Sequence, residues 1–121
     1  MHYDTDIWRA CEQFGDLAVV AARRMPRDLK PLLGNRLVDL SEHMSLLVRD
    51  ASIARGPAKA PIYDELITAV ELAQHVLRRA SNNRALGPKL QARCMPVTVS
   101  IARQANGLKK KFQSTDHVSV P

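Results

Sequence analysis

Apolar residues recur along this chain at alternating steps of three and four, so most of it reads as amphipathic helix. Ile7, Cys11, Phe14, Ala18, Ala21 and Met25 form the first stripe and predict a helix from Thr5 to Met25. Asp4 or Thr5 serves as N-cap, Asp6 suits the positive helix end, and Pro26 stops the helix. A second helix opens at Asp28 as N-cap, tolerates Pro31 in its first turn and closes at Gly56-Pro57. Its stripe is Leu33, Leu37, Leu40, Met44, Leu47 and Ala51. The third starts at Pro61 and presents Ile62, Leu66, Ala69, Ala73, Val76 and Ala80, widened by Tyr63, Val70 and Leu77. Ser81-Asn82-Asn83 caps it, with Asn expected in the left-handed conformation. The fourth begins at Gly87-Pro88 and aligns Leu90, Cys94, Val97, Ile101 and Leu108, with Gln104 as a polar intruder in that seam. Pro96 removes one backbone hydrogen bond and crowds the carbonyl of Ala92, which predicts a kink.

Four helices sharing one rhythm, joined by short connections and with no competing strand pattern, predict an all-α, up-down-up-down antiparallel four-helix bundle. Residues 1–111 are expected to form that single domain, and the aperiodic residues 112–121 a disordered C-terminal tail. Some apolar positions are left over. Val19 and Val20 fall on a flank of the first stripe, and Leu32, Leu46 and Ile53 lie nearly opposite the second. A bundle satisfies one stripe per helix, and leaving such side chains wet forgoes about 1.5 to 3 kcal/mol apiece. These five residues are therefore the expected interface of a homo-oligomer.

Charge changes the picture more than composition does. A chain of 121 residues with 45% apolar content sustains one core, and the net charge of +6 comes from clustering. Eleven of the twelve acids precede Leu72, whereas Arg78, Arg79, Arg84, Lys89, Arg93, Arg103, Lys109, Lys110 and Lys111 follow it with no acid among them. Such a one-sided field favours a polyanion, most simply the phosphate backbone of RNA or DNA, because each neutralised phosphate releases counterions. Lys89, Arg103 and Lys110 share a heptad position and suggest a stripe on the outer face of the fourth helix. No aromatic residue interrupts the stretch before Phe112, which argues against base stacking and for binding without sequence preference. The plainer account is that Arg78, Arg79 and Lys109 to Lys111 complement negative helix ends, each contributing about 0.3 to 1 kcal/mol. Lys89 and Arg93, near a positive helix end, escape that account.

Met25-Pro26-Arg27, Leu33-Gly34-Asn35-Arg36-Leu37, and Leu77-Arg78-Arg79-Ala80 followed by a polar turn to Leu86 stand in a recognisable order. The chain resembles the bacterial four-helix-bundle family that contains ribosomal-RNA intervening-sequence proteins and the accessory variability determinant of diversity-generating retroelements. The resemblance implies a homopentameric barrel of bundles with a basic surface and, in the retroelement branch, binding to nucleic acid and to a reverse transcriptase. Where retroelement members carry a Gly and a Trp near the end of the last helix, this chain has Asn106-Gly107-Leu108 and no Trp.

Little in the sequence suggests catalysis, a cofactor or a metal. His2, His43, His75 and His117 are scattered without helical partners, and no phosphate loop or nucleophile elbow occurs. Cys11 and Cys94 occupy stripe positions and read as buried thiols. No membrane span or secretion signal is recognisable, so a cytoplasmic non-enzyme is expected. Two functions compete: an oligomeric accessory protein that binds nucleic acid, and a protein-protein scaffold whose charge serves solubility.

Overall fold

The Met25-Pro26 junction shows how local chemistry sets the helix ends. A proline disfavours helical backbone in the residue before it, and Met25 takes an extended conformation with ψ 147°. At the other end of this helix Thr5 Oγ1 accepts a hydrogen bond from the Trp8 amide at 3.3 Å. The computed structural model describes residues 5–118, with side chains through Gln113. It is all-helical: α1 is Asp6–Arg24, α2 Asn35–Ile53, α3 Lys59–Asn82 and α4 Pro88–Val118. Among the described residues there is no strand.

Each helix packs on its successor, and α4 packs back on α1, so the four share one core. Phe14, Leu37, Met44, Leu66, Leu77 and Ile101 are its largest fully buried side chains, each contributing about 1.5 to 3 kcal/mol of transfer energy. Glu12 accepts a hydrogen bond from Ser45, and a Cβ added to Gly34 would stand 3.1 Å from Ala22 Cβ. Gln74 donates to Thr98, and Lys109 to Asp64.

Several boundaries differ from expectation. Asp28 does not cap α2. A π-helical turn, Lys30–Gly34, intervenes, with the Asn35 amide donating to the carbonyl of Lys30. Gly34 within it lets the chain approach Ala22, where a side chain would collide. A 3-10 turn, Gly56–Ala58, precedes α3, which starts at Lys59 rather than Pro61. Neither Asn82 nor Asn83 closes α3 in the left-handed region; Arg84 does, with φ 59°. The Ala85 amide donates to Ala80 O at 2.8 Å and the Arg84 amide to Ser81 O at 3.1 Å, the paired bonds of a Schellman cap. α4 passes through Pro96 without interruption and extends to Val118, beyond the domain end expected at residue 111. Phe112, expected in the tail, stacks on Tyr63 with ring centroids 6.2 Å apart. The tail expectation for residues 119–121 lies outside the described residues.

Core membership shifts by single positions. Leu33, Leu40 and Ile62 are half-buried, while Ser41 is buried with its hydroxyl donating to Val38 O at 2.7 Å. Val97 and Leu108 are half-buried, and Thr98 and Ala105 take the core instead. Thr98 Oγ1 donates to Met95 O and accepts from Gln74 Nε2, which satisfies a hydroxyl that would otherwise be costly to bury. Gln104 is half-buried, and its amide donates to Ser100 on its own helix.

Of the proposed interface residues, Val19, Leu32, Leu46 and Ile53 are 38%, 66%, 48% and 70% exposed. Val20 is not among the exposed: it is half-buried against the core, because the α1 flank it occupies is covered within the subunit.

Candidate nucleic-acid interface

The Schellman cap turns the chain sharply between α3 and α4 and carries Arg84 and Lys89 to the end of the molecule where α1 finishes. There Arg24, Arg84 and Lys89 line one pocket of about 460 Å³. Its floor is apolar, with Ala85, Leu86 and Leu90 all buried. A separate hollow is lined by Arg78 and Arg79 together with His75, Asn82 and Asn83. Arg79 lies 3.4 Å from His75 Nε2, and Asn83 Nδ2 donates to Arg79 O. Arg93 is exposed one turn after Lys89.

The remaining predicted residues lie elsewhere. Arg103 and Lys110 are exposed, but Lys110 stands roughly 30 Å along α4 from Lys89 at about 1.5 Å per residue. A straight helix drifts about 20° per heptad, so Lys89 also rotates by roughly 60° from Lys110 over that distance. By position along the fold, the nine cations fall into a turn-end group and a group on the later part of α4. Lys109 is half-buried and engaged, its Nζ 2.8 Å from Asp64 Oδ1. Lys111 Nζ lies 5.6 Å from the centre of the Phe112 ring.

Among the described residues no carboxylate stands within ion-pair distance of Arg24, Arg78, Arg84, Lys89, Arg93, Arg103 or Lys110. Arg24 is the contributor that the charge distribution of the chain does not reveal. In sequence it is an ordinary basic residue in the last turn of α1, and only the packing of α1 on α4 sets it beside Arg84. Arg84 carries a second signal: a non-glycine residue held in the left-handed region costs about 1 kcal/mol.

A larger hollow, about 560 Å³, lies at the opposite end, lined by Ile7, Val48, Tyr63 and Leu108 among others. It is mostly apolar, and the Lys59 ammonium on its wall already donates to Ala51 O. The thiols offer no nucleophile. Burial, reinforced by Glu12, pushes the Cys11 pKa up to about 12, and burial raises that of Cys94 against the opposing charge of Arg93. Among the described residues no three His, Cys, Asp or Glu side chains are grouped to hold a metal ion, and no helix is long and apolar enough to cross a membrane.

Fold and site together define an all-α, four-helix protein with a cationic turn end. Comparison with protein-family models, curated proteins and solved structures finds no match. Met25, Gly34, Leu37, Leu77, Ala80 and Leu86 are buried, and most cluster where the turns at this end pack.

Proposed function

We propose that this chain is an up-down-up-down helical bundle that binds RNA or DNA through phosphate contacts at its cationic turn end. The antiparallel reading is supported by the contacts Glu12 to Ser45 and Gly34 to Ala22 between α1 and α2, and Gln74 to Thr98 and Asp64 to Lys109 between α3 and α4. The carrying observation for function is the convergence of Arg24, Arg84 and Lys89 on one pocket, without an acidic partner among the described residues. Cations already neutralised by carboxylates gain little from a phosphate, whereas solvated ones release its counterions. The expected role is that of an accessory factor, with a reverse transcriptase as the partner the resemblance suggests. Fluorescence anisotropy with a labelled oligonucleotide at increasing salt tests the reading. Affinity should fall with a log-log slope of about 0.9 per neutralised phosphate. A salt-independent affinity, or none, overturns it.

A second reading, an interaction surface for protein, is favoured by the exposure of Leu46 and Ile53 on α2 and of Leu32 in the π-helical turn before it. Self-association through that surface, in five copies as the resemblance suggests, is compatible with nucleic-acid binding at the turn end. Light scattering at micromolar concentration decides it, a monomer removing the oligomer.

A further inference from the structure

We infer that the pocket formed by Arg24, Arg84 and Lys89 takes the terminal phosphate monoester of a nucleic-acid strand in preference to its internal diesters. This rests on the nucleic-acid reading above and specifies the group that the site recognises. A strand backbone presents single negative charges at regular intervals and is matched by cations in a row. These three cations instead arrive from separate segments, the last turn of α1, the α3–α4 turn and the first turn of α4, and line a single hollow. A phosphate monoester concentrates close to two charges and three acceptor oxygens at one point near neutral pH. Guanidinium groups offer paired donors to such oxygens, and an ammonium adds a point charge.

Two further observations fit an anion of that size. Ala85, Leu86 and Leu90 beneath the cations are buried and apolar, so no carboxylate in the floor competes for them. Arg84 also occupies the cap position that glycine adopts without strain. An arginine there works against the local backbone preference, which makes sense if its side chain has work at the pocket.

That conflict supplies the test. Arg84→Gly removes the guanidinium while relieving the left-handed backbone, so helix content and melting temperature should hold or rise. Oligonucleotides of one sequence carrying a 5′-phosphate, a 3′-phosphate or hydroxyls at both ends would be compared by anisotropy at fixed salt. The wild type should bind one phosphorylated end about tenfold more tightly than the hydroxyl-ended strand, the size of one added charged hydrogen bond. Arg84→Gly should erase that preference, so that all three strands bind alike, at or below the affinity of the wild type for the hydroxyl-ended strand. Equal affinity for all three strands in the wild type overturns the terminal-phosphate inference and leaves backbone binding standing. A preference that survives in the folded Arg84→Gly protein also overturns it, by placing the recognition elsewhere. If no strand binds, the nucleic-acid reading falls and the inference falls with it.

Discussion

The two ends of this molecule use the same residue types to opposite effect. At the end that holds Tyr63 and Phe112, three of the cations are engaged internally, although Lys110 is exposed: Lys109 pairs with Asp64, Lys59 donates to Ala51 O, and Lys59 and Lys111 both lie over the Phe112 ring. At the turn end Arg24, Arg84 and Lys89 surround a pocket with no carboxylate in ion-pair reach among the described residues. A count of cations treats these ends alike. A polyanion does not, because the free energy of its binding comes from charges that solvent and small ions, rather than protein acids, were neutralising.

Four variants would break or sharpen that contrast. The largest effect is expected from Leu86→Ala, which empties the buried floor of the turn-end pocket and should cost about 2 to 5 kcal/mol in chemical denaturation. A midpoint unchanged from wild type would mean that the floor is not packed. Next comes Arg24→Glu combined with Lys89→Glu. It should weaken oligonucleotide binding about a hundredfold and flatten the salt dependence by about two units of slope, with the circular dichroism spectrum retained. Unaltered affinity in the folded double variant would remove the turn end from the interface.

At the opposite end Phe112→Ala should cost about 1 to 2 kcal/mol, from lost stacking on Tyr63 and lost apolar burial, and leave binding intact. A neutral result would detach this part of α4 from the core. Smallest is Lys109→Ala. Its pair with Asp64 is partly solvated, with Asp64 61% exposed, so stability should change by about 0 to 1 kcal/mol. Binding should change less than about threefold. A large loss of affinity would show that Lys109 leaves Asp64 for phosphate and would erase the distinction between the ends.

The helices were legible because their causes are local. A 3.6-residue repeat of apolar side chains, Thr5 as a cap, and Pro26 acting on Met25 all operate within a turn or two of chain. Leu32, Leu46 and Ile53, left over by the stripes, are likewise exposed. Positions at the edge of a stripe were less legible. Ser41 and Thr98 are polar by type, yet each finds a carbonyl acceptor three residues back on its own helix, so burial costs them little. The periodic pattern ranks them below Leu40 and Val97 because it scores side chains without their hydrogen-bond partners. Val20 is half-buried for a related reason, since neighbouring helices cover more of α1 than its own stripe indicates.

What the sequence alone determined is thus the number and approximate extent of the helices, the faces they must bury, and a positive excess after Leu72. These follow from periodicity and composition, which need no knowledge of neighbours. Only the tertiary structure decided which charges remain available. Packing of α4 on α3 brings Lys109 to Asp64 across 45 residues of chain and neutralises it, while packing of α1 on α4 sets Arg24 beside Arg84 and Lys89. The physical reason is the short reach of ionic contacts. A carboxylate neutralises the ammonium it touches, and helix register, not order along the chain, selects which pairs touch.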